Sequence, residues 1–126
     1  MNIVSIKNLN IKFKQHGNLV HAVRNISLDL SEGESLGIVG ESGSGKSVTF
    51  MSLLGLINSP NAIINADKLE VGGIDLLTNN KKQLTKIRGK IASMVFQDSM
   101  TSFDPLFTIG YQIVETILTV ESKNLF

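Results

Sequence analysis

The sequence predicts an α/β fold, in which an N-terminal antiparallel β unit passes into a strand–loop–helix unit. Three observations predict it. Residues 3–13 and 20–30 carry apolar side chains in the mixed alternation of strands, with a turn at Gln15-His16-Gly17-Asn18 between them. Gly40-Glu41-Ser42-Gly43-Ser44-Gly45-Lys46-Ser47 fits the spacing G-x-x-x-x-G-K-[ST] of a phosphate-binding loop, the P-loop. The loop is flanked by Ser35-Leu36-Gly37-Ile38-Val39, which reads as a short buried strand. It is followed by Val48 to Ile57, which reads as a helix rich in Phe50, Met51, Leu53, Leu54, Leu56 and Ile57.

The elements follow in order. Ile3 to Phe13 suggests one strand, or two with a bulge near Asn8. Val20 to Leu30 is its expected partner, with Val23, Ile26, Leu28 and Leu30 apolar, and Ser31-Glu32-Gly33-Glu34 is a turn into the strand before the loop. Asn58-Ser59-Pro60-Asn61 should break the helix. Lys68-Leu69-Glu70-Val71 reads as a short strand closed by Gly72-Gly73, and Asp75 to Asn80 as a loop. Lys81 to Lys90 reads as a helix with Leu84 and Ile87 on one face, then Ile91 to Phe96 as a buried strand. Gln97 to Thr108, with Pro105, is expected to be a loop. A helical pattern resumes from Ile109 to about Leu118, with Ile109, Ile113 and Ile117 inward.

The Gly40–Ser47 loop carries the clearest chemistry. Glycines let the backbone curl so that its N–H groups face phosphate oxygens. Lys46 supplies a point charge for β- and γ-phosphates, and the Ser47 hydroxyl can ligate Mg²⁺. The helix starting near Lys46 adds its positive dipole end.

Composition narrows the alternatives. The chain has 126 residues, 42% hydrophobic and 18% charged, which suits one small globular domain rather than a disordered chain. A net charge of +1 gives no electrostatic footprint for nucleic acid. Lys81, Lys82, Lys86, Arg88 and Lys90 read as a solvated helix face. The absence of cysteine excludes disulfides and thiolate-bound metal. His16 and His21 lack a second ligand at metal spacing and read as surface residues. No apolar run approaches the ~20 residues that span a bilayer. The N-terminus alternates like a strand and has no signal-peptide apolar core, so any membrane connection is expected through a partner.

A second stretch, Met94-Val95-Phe96-Gln97-Asp98-Ser99-Met100-Thr101-Ser102-Phe103-Asp104-Pro105, adds a resemblance. With Gly37-Ile38-Val39 and the P-loop, it resembles the nucleotide-binding subunits of ABC transporters, and among them the ATPases of bacterial oligopeptide and dipeptide importers. Those carry a Phe-Gln-Asp-Pro-Met-Thr-Ser-(Leu/Phe)-Asn-Pro stretch. Here Ser99 stands for the usual proline and Asp104 for the asparagine. The resemblance covers residues 1–118, and 119–126 form a tail without a match.

The resemblance implies a P-loop NTPase fold of the ABC ATPase type, here with an incomplete parallel core sheet. It implies ATP and Mg²⁺ as cofactors. Gln97 corresponds to the glutamine that reaches Mg²⁺ or the attacking water and whose loop senses the membrane subunit. Lys46 and Gln97 are then the catalytic candidates, and Ser47 and Gln97 the metal ligands. Gly40, Glu41, Ser42, Gly43, Ser44, Gly45, Lys46 and Ser47 hold the phosphates. Phe13 sits where the family stacks an aromatic on adenine; the lesser alternative is an ordinary core Phe on a strand. Ala22 lies where the family packs small residues near the base. Residues 98–111 are expected to meet the transmembrane permease, and their apolar side chains would also suit folding back onto a core. A second ATPase subunit, identical or different, is the other implied partner. ATP binding would join the two and hydrolysis would part them. Such a subunit is held at the cytoplasmic side of the membrane by its permease.

The family also uses a Leu-Ser-Gly-Gly-Gln signature, a Walker B strand ending in Asp-Glu and a switch histidine. None occurs in these 126 residues. Hydrolysis needs a water-orienting base and a second Mg²⁺ ligand. The expectation is therefore weak Mg-ATP binding without meaningful turnover by the chain alone, and open strand edges that lower solubility. A non-hydrolysing nucleotide-binding remnant is the alternative. A kinase or GTPase reading fits less well, because residues 96–105 follow the ABC pattern and no Asn-Lys-x-Asp guanine-reading sequence occurs.

Overall fold

The computed structural model describes residues 1–78, 80–98 and 100–121. They form two compact units, Met1–Ala92 and the segment from Ser93 onward.

The first unit is built on a long hairpin. β1 (Asn2–Gln15) and β2 (Asn18–Ser31) pair antiparallel, with Gln15 opposite Asn18. The two residues between them, His16 and Gly17, have φ of 49° and 82°. Positive φ at both positions is what a two-residue turn needs to match the twist of its strands. The bulge expected near Asn8 is present: the pairing register shifts between Ile6 and Leu9, and Asn8 has φ 51°. Asparagine tolerates that conformation better than most residues. The Asn8 N–H donates to Ser27 Oγ at 2.9 Å, and its side-chain amide bonds the Asp67 carboxylate.

The bulge gives β1 two partners on one edge. Val4–Lys7 pair with β4 (Lys68–Val71), while Asn10–Phe13 pair with β3 (Ala62–Asn65), a strand that the sequence reading did not anticipate. β5 (Ile74–Asp75) pairs with β4 across the Gly72-Gly73 turn, where only a loop was expected. The sheet order is β2-β1-β4-β5, with β3 beside β1. Ile6, Leu9, Ile11, Val23, Leu69 and Val71 are buried in it, joined by Leu53 and Ile87 from two helices and by Leu54, just past the first of them.

Helix α1 (Lys46–Leu53) stops before the expected Ile57, and the cause lies before Pro60. Gly55 has φ 60°, its N–H donates to Ser52 O at 3.1 Å, and Leu56 N–H donates to Met51 O at 2.9 Å. This is the paired-bond C-cap that a left-handed glycine allows. α2 (Lys81–Ile87) is capped by Asn80, whose side chain accepts from Lys82 N–H, and it ends earlier than the expected Lys90.

Two expected strands are absent. Residues 35–39 and 91–96 are irregular, and Val39 and Val95 are 95% and 97% exposed. A strand needs a neighbour to satisfy its N–H and C=O groups. Among the described residues none pairs with either stretch, apart from an isolated parallel bridge between Arg88 and Ala92. Every ladder described is antiparallel, so the parallel core sheet is not formed here.

In the second unit α3 (Ile109–Val120) forms as expected and is capped by the Thr108 hydroxyl, which accepts from Tyr111 N–H. No side chain of α3 is buried, so Ile109, Ile113 and Ile117 are not inward as expected. Among the described residues of their own unit, Ser102 and Phe103 lie beside Ile113 and Ile117 without burying them. Ser99, and the tail beyond residue 121, lie outside the described residues.

Candidate functional site

The loop between β2 and α1 is shaped by its glycines. Gly43 and Gly45 have φ of 79° and 90°. Gly45 is also pressed against β2, where a Cβ would lie 2.4 Å from the Ala22 carbonyl oxygen. Only glycine meets both conditions. At Gly40 a Cβ would lie 2.7 Å from Ser44 Oγ and 3.4 Å from Lys46 Nζ, so the first glycine of the loop keeps the space around the lysine head open.

Gly45 is also the N-cap of α1. No side chain caps this helix, and no acidic residue occupies its first turn. Among the described residues, its leading N–H groups and positive dipole end therefore have no capping side chain and no first-turn carboxylate to meet them. Thr49, a buried residue not anticipated from the sequence, anchors the turn: its N–H and hydroxyl both donate to Gly45 O, at 3.0 and 2.8 Å.

Lys46 is half-buried and curls over the loop. Its ammonium donates to Gly40 O at 2.5 Å, Glu41 O at 2.7 Å and Ser44 Oγ at 3.0 Å. The cation is thus held inside the ring of residues that the motif defines. Ser47 is exposed on the first turn of α1.

A cavity of about 490 Å³ opens between this loop and β2. Gly40, Gly43, Ser44, Gly45 and Lys46 line one side, and Ala22, Val23, Arg24 and Ile26 the other. Ala22 therefore shares a cavity with the loop. Phe13 does not: it is half-buried on β1 opposite Val20 and Ala62, outside that lining. His21 and Arg24 add basic groups to the cavity wall, and His21 Nε2 lies 3.1 Å from Asn10 Oδ1. The same Asn10 oxygen accepts from Asn25 N–H. The sequence signal for these residues was weak, since strand positions facing a loop across space carry no local pattern.

The donor set fits a polyphosphate. It offers an uncapped helix start, a lysine ammonium and a cradle that a Cβ at Gly40 would fill. Among the described residues no three His, Asp or Glu side chains gather as a metal site. A hydroxyl such as Ser47 suits a hard cation that keeps most of its ligands from phosphate and water.

Gln97 belongs to the second unit and is exposed. The loop after it is held by side chains. Asp98 Oδ1 accepts from Met100 N–H, and Asp104 Oδ1 from Leu106 N–H. Gln112 on α3 accepts from Asp104 N–H at 2.9 Å and donates to Asp104 O and Phe107 O at 3.0 Å each. This ordered loop displays Met100, Phe103, Leu106 and Phe107 outward, with Met100 91% and Leu106 85% exposed. They do not form a core of their own unit.

Comparison with known proteins supplies the family. The ABC transporter family pattern matches residues 23–123, which takes in the loop, Gln97 and α3. The chain belongs to the ABC transporter family. Among its relatives is the dipeptide transport ATP-binding protein DppD of Lactococcus lactis subsp. cremoris (strain MG1363). It is 48% identical over 116 residues, which is 92% of this chain and 33% of the relative. The glutathione import ATP-binding protein GsiA of Escherichia coli (strain K12) is 44% identical over 123 residues, 92% of this chain and 19% of the relative. This ABC family chain thus spans a third of the length of one relative and a fifth of the other. Among its described residues no helix is long and apolar enough to cross a membrane.

Proposed function

We propose that this chain is the N-terminal, nucleotide-binding part of the ATP-binding subunit of an ABC importer for peptides or related small solutes. The observation that carries the reading is the Gly40–Ser47 loop around the uncapped start of α1, with Lys46 gathered into it. Family membership and the relatives' roles in dipeptide transport and glutathione import support the importer part.

In this reading the fold is that of a P-loop NTPase of the ABC type. The loop N–H groups and Lys46 take the β- and γ-phosphates of ATP, and Ser47 and Gln97 supply protein oxygens to Mg²⁺. ATP, when bound, supplies the phosphoryl bond whose cleavage drives transport. Ala22 borders the base side of the cavity, and Phe13 is the candidate for stacking. Residues 98–111 meet the permease, because an ordered loop with this much exposed apolar surface suits a protein interface. A second ATPase subunit, identical or different, completes the working unit at the cytoplasmic face of the membrane.

Of the groups that hydrolysis needs, these 126 residues carry the phosphate loop and Gln97. The purified chain should bind Mg-ATP weakly and turn it over negligibly. Titration with a fluorescent ATP analogue tests this. Lys46→Ala should weaken binding at least tenfold, about 1.4 kcal/mol or more. Equal affinity in the two proteins would sink the proposal. Phosphate release that disappears in Lys46→Ala would overturn the no-turnover clause alone.

A further inference from the structure

Arg88 reads as one of several solvated cations in the sequence, yet it has a specific partner. Its Nε donates to Leu54 O at 2.8 Å and its Nη2 to Gly55 O at 2.6 Å. These carbonyls lie just past the C-terminus of α1, where backbone oxygens lack helical partners and the dipole end is negative. The planar guanidinium fork can serve both at once, which an ammonium cannot do with the same geometry. Beside it, Gly55 leaves room for Leu84: a Cβ there would lie 2.5 Å from Leu84 Cδ2.

Arg88 also sits in the turn through which the chain leaves the first unit. Ile91 and Ala92 N–H both donate to Ile87 O, and Gly89 N–H donates to Ala92 O at 2.9 Å. Ile87 is fully buried, and Ile91 packs on Gly72, where a Cβ would lie 2.7 Å from its Cγ2. The exit turn is therefore fixed, and one of its side chains grips the far end of the phosphate-loop helix. α1 has eight residues, a rod of about 12 Å. In a helix this short, a rigid shift at Lys46 would carry the Leu54 cap with it.

We propose that Arg88 is a positioning residue that ties the C-terminal end of α1 to the 87–92 exit turn, so that nucleotide binding at the start of α1 is felt by the turn leading to Gln97. The coupling rests on the nucleotide-binding reading above, whereas the tie itself does not.

Amide hydrogen exchange on the 126-residue chain tests both parts. Without nucleotide, Arg88→Ala should speed exchange of the amides of residues 54–56 and 89–92 by about threefold to tenfold, with the β1–β2 core unchanged. Unchanged exchange at residues 54–56 would overturn the tie. With Mg-ATP, the parent chain should slow at residues 43–49 and at 89–92. Arg88→Ala should keep the first effect and lose the second, and Arg88→Lys should recover part of it. Retained slowing at 89–92 in Arg88→Ala would overturn the coupling. If Mg-ATP slows neither region in the parent chain, the nucleotide reading falls and the coupling with it, while the nucleotide-free arm still decides the tie. Should Arg88→Ala not fold, Arg88→Lys carries the same comparison, because it keeps the charge and loses the fork.

Discussion

Residues 3–6 and residues 36–39 are both short apolar runs of β-forming sequence, yet one lies in a five-stranded sheet and the other is irregular and exposed. The difference is the distance to a partner. Ile3-Val4-Ser5-Ile6 finds β2 through a two-residue turn and β4 through its other edge. Leu36-Gly37-Ile38-Val39 enters a helix. A strand followed by a helix pairs in parallel and needs a crossover connection to do so. Antiparallel neighbours are encoded locally, whereas parallel ones must come from elsewhere.

The largest test of this contrast is in the core. Leu9 is fully buried at the bulge of β1, so Leu9→Ala should cost ~2–5 kcal/mol and unfold much of the chain. Val39→Ala and Val95→Ala, at 95% and 97% exposed positions, should stay within ~0.5 kcal/mol. Urea denaturation followed by circular dichroism measures all three. A large loss at Val39 would mean that residues 36–39 are packed in solution.

A smaller effect separates two glycines of the loop that follows residues 36–39 and leads into α1. Gly45→Ala combines φ 90° with contact on the Ala22 carbonyl, so it should cost ~1–3 kcal/mol and weaken the proposed nucleotide binding more than tenfold. Gly43→Ala shares the positive φ but has open space around it among the described residues, and should cost only about 1 kcal/mol. Equal effects would show that backbone strain alone, and not the seat on β2, shapes the loop.

This same distinction between local and distant information sets what was legible in the sequence. The hairpin, the Asn8 bulge, β4 and α3 rest on nearby residues and could be read. So could the loop residues Gly40–Ser47, because their spacing is itself the signal. The end of α1 is legible only in Gly55, the left-handed cap, because the more conspicuous Pro60 lies beyond it. β3 was missed because Ala62–Asn65 is polar at its end and follows a turn. Arg88 could not have been singled out. Its partners are carbonyls over thirty positions earlier, and carbonyls leave no mark on residue type.

Where no ladder exists, irregular chain must be held by side chains. Residues 36–39 have no such support described, but residues 104–107 have Gln112, whose amide makes three bonds to the loop backbone. Gln112→Ala should leave global stability within about 1 kcal/mol, since each exposed bond competes with water. Its effect should appear locally instead, as faster exchange of the Asp104 amide with α3 intact. The apolar face carried by Phe103, Leu106 and Phe107 would then be presented less rigidly. If residues 98–111 meet a permease as proposed, that binding should weaken by a small factor, from the ordering that the loop must now undergo on docking. Leu106→Ala should weaken it through lost contact area while leaving the Asp104 amide protected. If both variants loosen the loop equally, its order comes from the apolar cluster and not from the glutamine.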